Sequence, residues 1–233
     1  MRHMQSSVVA LFVSVAAATS ASAELVTVFC PGVGAGRNVT VQHNGTDRSV
    51  FAGQIRLDLT NSTSGTLNGQ WRSFCTELHQ HIFVNGAPQV YTVSQLKDVP
   101  VPGLPMGQVR ADAIARMYAF ASGAQYGSNA DYAAAFQIAV WEIANDYDGT
   151  AVSLDLALGN FRGTTLAAAI TTSVTTLLGA ATQVGAPITQ LLGLGNATYQ
   201  DQIIDPTSPI PTPGTIAMLA LAGIFGARRR RRS

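Results

Sequence analysis

The chain predicts an α+β fold: an N-terminal antiparallel β-sheet, barrel-like, packed against a C-terminal helical half. Three observations lead there. Residues 24–93 are rich in β-branched side chains that alternate with polar ones, between Gly-rich and Asn-Gly turns. Residues 108–183 switch to apolar spacing of three and four, the period of a helix packed on one face. The strands come first and the helices after, without an internal repeat, which is the α+β order.

The strands follow from local chemistry. Residues 25–29 and 38–41 are short β-branched runs, separated by a Gly-rich turn around Gly32 and Gly36. Asn44-Gly45 is a two-residue hairpin signal. Residues 49–60 alternate well, with Gly53 as a bulge. A strand or strand pair covers 70–83, and Asn85-Gly86 turns the chain into another strand at 89–93. A proline-bearing connector covers 99–106.

A first helix is predicted over 108–122, closed by Gly123. The second opens at Ser128-Asn129-Ala130-Asp131, a capping-box-like start that satisfies orphan backbone donors, and runs to about Asp146. Within it, Phe136, Ala139, Val140 and Ile143 form the apolar stripe, with Gln137 and Trp141 on its flank. Asp146-Tyr147-Asp148-Gly149 ends the helix in a turn; it lacks the further ligands of a calcium loop. A third, threonine-rich helix covers 164–183, and a last strand falls at 199–204.

Both ends lie outside this domain. Arg2 and His3 precede an apolar run, and small residues then lead to Ala21-Ser22-Ala23. This is a secretory signal over 1–23 with cleavage after Ala23. The predicted domain covers 24–204. Residues 205–214 are a Pro-rich linker ending in Pro211, Thr212, Pro213 and Gly214, where prolines preclude helix and central strand. Residues 215–233 are a short apolar helix followed by five arginines, Arg228 to Arg232, and Ser233. The apolar part is shorter than the ~20 residues of a stable span.

This Pro-Thr-Pro-Gly, short apolar helix and Arg-rich tail resembles a bacterial PEP-CTERM sorting signal, with Pro-Thr-Pro in place of the usual Pro-Glu-Pro. The resemblance implies a bacterium with an outer membrane, an exosortase-type sorting protease as partner, at least transient membrane attachment, and delivery to the cell surface or extracellular matrix.

Charge excludes one class of partner. Of 14 basic residues, Arg2 and the five C-terminal arginines lie in the two ends, leaving 8 against 13 acids, a net charge of −5. Nucleic acid and anionic membrane are poor partners for such a domain. The sequons at Asn38, Asn44, Asn61 and Asn196 read as polar loop residues.

The residues with chemistry are few. Cys30 and Cys75 are the two cysteines, and export makes a Cys30–Cys75 disulfide one reading. A second reading is an internal thioester, in which the Cys75 thiol attacks the Gln137 carboxamide and ammonia leaves, with Phe74, Phe136 and Trp141 as aromatic cover. On a strand, Cys75, Glu77, His79 and His81 share one face, so Glu77 or His79 is a proton acceptor for that attack. A metal on Cys75, His79 and His81 is the third reading, a poor tetrahedral set without a fourth ligand.

Phe74-Cys75-Thr76-Glu77, followed by Ala135-Phe136-Gln137-Ile138-Ala139-Val140-Trp141-Glu142-Ile143, resembles the paired motifs of bacterial thioester domains. In these, an aromatic-Cys segment supplies the thiol and a Gln-x-Ala-aliphatic-Trp helix supplies the acyl group. The chain departs at Phe136, where many members carry threonine. The resemblance implies a Cys75–Gln137 crosslink that captures an amine or hydroxyl on a surface or matrix partner. That is one acyl transfer without turnover, needing no cofactor and no metal. The alternative is a structural matrix protein with the disulfide and no covalent chemistry.

Overall fold

The computed structural model describes residues 23–210, apart from 122 and 164. The segment predicted as a secretory signal, ahead of Ala23, and the predicted sorting motif Pro211, Thr212, Pro213 and Gly214 with the tail behind it lie outside the described residues. Among the described residues no helix is long and apolar enough to cross a membrane.

The fold is α+β, with a seven-stranded antiparallel sheet and four α-helices among the described residues. The strands are β1 (Glu24–His43), β2 (Thr46–Thr60), β3 (Gly69–Cys75), β4 (Gln89–Gln95), β5 (Phe161–Arg162), β6 (Leu192–Gly195) and β7 (Gln202–Ile204). Their order is β2-β3-β7-β6-β4-β1-β5, and β1 also pairs with β2. Six strands therefore close on one another, with β5 added to the end of β1, and closure leaves few unpaired edges. The strands that complete the ring, β6 and β7, come from the far C-terminal side of the helices rather than from the N-terminal half.

Two predicted runs are one strand. The Gly-rich segment expected to turn the chain lies inside β1, which pairs with β2 from Thr27↔Thr60 to His43↔Thr46. It is absorbed by two irregularities, Phe29/Gly32 and Val33/Gly36, each placing one extra β1 residue against β2. The extra residue thus belongs to β1 and not to Gly53. Glycine is needed on both strands at this crossing. A Cβ on Gly36 would come 2.4 Å from the Ala52 carbonyl, and one on Gly53 2.4 Å from that of Ala35. The Asn44-Gly45 turn has positive φ at both residues, 50° and 75°, as a tight hairpin requires.

The helices are α1 (Gly107–Phe120), α2 (Gly123–Ser128), α3 (Ala130–Asp146) and α4 (Ala168–Ala181). The one-turn α2 was not expected from the sequence. α3 starts where its capping residue dictates: the Asn129 side chain accepts from the backbone N–H groups of Asp131 and Tyr132 at 3.0 and 3.1 Å. Asn129→Ala is expected to lower stability by about 1 kcal/mol, read as a shift of the urea midpoint at unchanged slope. At the other end, the Arg110 guanidinium donates to the free carbonyls of Asn145 and Tyr147.

The expected one-sided stripe on α3 is not what forms. Every residue from Ala133 to Ile143 is buried, Gln137 and Glu142 included. The helix lies between the sheet, where it meets β1, β2 and β3, and the helices α1 and α4. A helix covered on all sides is apolar all round, and its alanines let these neighbours approach. The two polar residues on it therefore need explanations of their own. The first residues read as linker also belong to the body: Ile210 N–H donates to the Gln70 carbonyl at 2.7 Å.

Candidate functional site

β3 ends at Cys75, and 76–88 is irregular except for an isolated bridge at Val84. The predicted strand over 70–83 is thus too long, and the shared face of Cys75, Glu77, His79 and His81 does not exist. Glu77 is buried at 3% exposure, whereas His79 and His81 are exposed. The polar alternation there reflects a loop half covered by the 196–201 segment: Gln80 donates to the carbonyls of Asn196 and Ala197.

Cys75 sits where β3 loses a neighbour. On one side it pairs with Gln202 of β7. On the other, β3 pairs with β2 only up to Ile55↔Ser73. Continued by two residues, that register would set Cys75 against Gly53, but β2 is there crossing β1. The Gln137 carboxamide takes the vacant ladder position. Cys75 N–H donates to Gln137 Oε1 at 2.8 Å, and Gln137 Nε2 donates to the Cys75 carbonyl at 2.8 Å. Gln137 is fully buried and Cys75 is 3% exposed, so both bonds are shielded from water.

The thiol itself faces two further glutamines. Cys75 Sγ donates to Gln200 Oε1 at 3.1 Å, and Gln202 Nε2 donates back to Sγ at 3.4 Å. Gln200 is held by its Nε2, which donates to the Glu77 carbonyl at 2.7 Å, and Gln202 by Ser73 Oγ at 2.8 Å. Burial pushes the Cys75 thiol up to about 12, partly offset by its bond with Gln202. It is a neutral thiol at ordinary pH. Gln200 and Gln202 were not singled out in the sequence; the only signal was a Gln-x-Gln alternation at a strand start.

Glu77 and His79 stay close without touching the sulfur. Glu77 Oε1 accepts from Asp201 N–H at 3.2 Å. Its Oε2 lies 2.5 Å from His79 Nδ1, a close contact without hydrogen-bond alignment. Burial raises Glu77 to about 8 and lowers His79, which favours the uncharged form of each. Glu77 reaches the thiol only through its main-chain carbonyl and Gln200.

The aromatic residues divide. Phe74 points to the opposite side of β3 from the thiol, where it packs 4.6 Å from Phe136, with Tyr118 and Tyr126 edge-on. These rings seal the helix side of β3 and not the sulfur. Trp141, one turn beyond Gln137, joins Cys75 and Gln200 in the wall of a cavity of about 450 Å³.

Both Cys30 and Cys75 are free thiols, so the Cys30–Cys75 disulfide is not formed. Cys30 is bonded instead to the Gly32 carbonyl at 3.6 Å, inside the first β1 bulge. Among the described residues, no group of three His, Cys, Asp or Glu side chains is placed to hold a metal. The strand face on which Cys75, His79 and His81 would have converged is absent.

Comparison with protein-family models, with curated proteins and with solved structures finds no match for this chain.

Proposed function

We propose that this is an exported bacterial surface or matrix protein whose Cys75 and Gln137 form an internal thioester, used once to join a nucleophile covalently. One observation supports the reading above all others: a buried carboxamide on a helix is docked by two 2.8 Å hydrogen bonds onto a buried cysteine. The signal segment, the sorting tail and the exosortase-type processing they imply supply the compartment.

The chemistry follows from the contacts. Cys75 Sγ must leave Gln200 and add to Gln137 Cδ. The C–S bond forms, the C–N bond breaks, and ammonia departs with the thiol proton. As the carbonyl oxygen gains charge, the Cys75 N–H that already donates to it stabilises the oxyanion. Gln200 Oε1 takes the S–H hydrogen bond and orients the thiol, and Gln202 Nε2 favours the thiolate. In the capture step an incoming hydroxyl or amine adds to the same carbon, the C–S bond breaks, and Cys75 regains a proton. Each molecule acts once, so this is acyl transfer without turnover.

A second reading rests on the ladder geometry: Gln137 brackets the end of β3 and does no chemistry, in a structural matrix protein. Intact-mass measurement of the exported protein separates the two. The thioester predicts a mass lower by one ammonia, a methylamine adduct on Gln137 after treatment, and neither in Cys75→Ala. Full calculated mass, with both Cys30 and Cys75 titrating as free thiols once the protein is denatured, would leave the bracket reading standing.

A further inference from the structure

One buried carboxylate beside the thiol takes no direct part in the acyl transfer. Asp201 is fully buried and lies between Gln200 and Gln202, the two residues that touch Cys75 Sγ. Along an extended chain, successive side chains point to opposite faces. Gln200 and Gln202 therefore face the sulfur, and Asp201 points the other way. There its Oδ1 accepts from the Asn196 N–H at 2.6 Å, and its Oδ2 accepts from the Val101 N–H at 2.5 Å. These donors belong to the turn after β6 and to the connector between β4 and α1.

The main chain of Asp201 is used as fully. Its N–H donates to Glu77 Oε1 at 3.2 Å, and its carbonyl accepts from the Thr76 N–H at 3.1 Å and from Thr76 Oγ1 at 3.4 Å. Gln200 Nε2 in turn donates to the Glu77 carbonyl, so the Thr76–Asp201 pairing also holds the segment on which Gln200 is anchored. Burial pushes the Asp201 carboxyl up to about 6, and the two N–H bonds from Asn196 and Val101 act against that rise. Above that value the carboxylate is charged, and both of its bonds are charge-assisted.

We infer that Asp201 is a positioning residue for the crosslink: it fixes the extended segment 200–202 so that Gln200 accepts from the Cys75 thiol while Gln202 donates to it. The inference rests on the thioester reading for its effect on rate, and on the contacts alone for its effect on geometry. As the C–S bond forms and the thiol proton leaves with ammonia, negative charge develops on Sγ. Gln202 Nε2 is the donor that stabilises this charge. Asp201 acts on the sulfur only through its two neighbours. Without its carboxylate, two buried N–H donors lose their acceptor, and nothing at 201 then holds the glutamines in register with Cys75.

The test reads the thiol and the crosslink separately, at a pH about two units above the Asp201 value, where its carboxylate is ionised. In a Cys30→Ala chain, under conditions where no crosslink has formed, the Raman S–H stretching band belongs to Cys75 alone. Asp201→Asn is expected to move that band to higher wavenumber, toward a thiol without an acceptor. In the exported chain the same substitution should slow ammonia loss, followed by intact mass, about tenfold, as expected when one hydrogen bond to a charged group is lost. Asp201→Glu keeps a carboxylate for the two N–H groups, so it moves both readouts in the same direction by less. It carries the test if the Asn variant does not fold. Gln202→Ala should slow ammonia loss alike, and Asp201→Asn should add little to it, because both act at one contact. Asn129→Ala, which lowers stability at a distant helix cap, should leave band and rate unchanged. An unmoved band in folded Asp201→Asn, additive effects with Gln202→Ala, or equal slowing by Asn129→Ala overturns the positioning role. A band that moves while the wild type shows no ammonia deficit removes the thioester and keeps the positioning of the thiol. A deficit that accumulates equally fast in wild type and Asp201→Asn keeps the thioester and removes the positioning role.

Discussion

Gln137→Ala is expected to destabilise the domain by on the order of 2–6 kcal/mol, because it strands the Cys75 N–H and carbonyl in a dry interior at about 1–3 kcal/mol each. That is a large share of the 5–15 kcal/mol typical of a whole domain. The effect comes from position, since Gln137 is fully buried and both of its amide groups are used. Cys75→Ala keeps the main-chain groups and their bonds to Gln137. It should cost much less, while abolishing any crosslink equally. Urea unfolding of both variants, beside the wild type under conditions where no crosslink has formed, reads the difference. Equal midpoints for the two would show that the carboxamide does not bracket β3. The comparison matters for function because it separates the structural work of Gln137 from its chemistry.

The second large effect is on pH dependence. Burial raises Glu77 and Glu142 to about 8, and Asp201 to about 6. Glu142 is fully buried on α3, and the nearby Asp146 carboxylate raises it further, partly offset by the main-chain N–H of Asp155. The ordinary glutamate value is 4.5. Between 4.5 and about 8 the folded chain therefore retains protons that the unfolded chain has released. Stability is then fully present below the unfolded value and falls as pH rises, with a limiting slope of about 1.4 kcal/mol per pH unit for each group. The domain is expected to be several kcal/mol less stable at pH 8 than at pH 5. Glu142→Gln, which stays neutral, should flatten the slope and raise stability most at the alkaline end. Urea midpoints at the two pH values check this. A midpoint that rose with pH would mean that these carboxylates are paired and charged in the fold.

Gln137 and Glu142 show how far the sequence reaches. They sit five residues apart on a helix whose apolar stripe is plain in the sequence, where Gln137 reads as a flank residue beside Trp141. A stripe analysis sees only one face. It cannot know that α4 and α1 cover the opposite one, a consequence of chain segments far away in sequence. The same limit explains the loop after Cys75. The alternation of Glu77, His79 and His81 has the period of a strand, but β2 leaves β3 at Ser73, so no ladder exists to hold one. The Gly-rich stretch in β1 misled in the other direction, because glycine serves a bulge under a close strand crossing as readily as a turn.

Local chemistry alone determined the Asn44-Gly45 hairpin, the Asn129 cap, the α+β order, and the prominence of Cys75 and Gln137. These depend on backbone conformation and on residue type within a few positions. Tertiary structure decided the rest. It returned the C-terminal strands β6 and β7 to close the sheet, and so set Gln200 and Gln202 on the Cys75 sulfur. It also left Arg48, Gln80 and Trp141 around one cavity. The physical reason is the unmade ladder. Where β2 turns away to cross β1, the end of β3 must find partners elsewhere, and the buried side chain of Gln137 provides them.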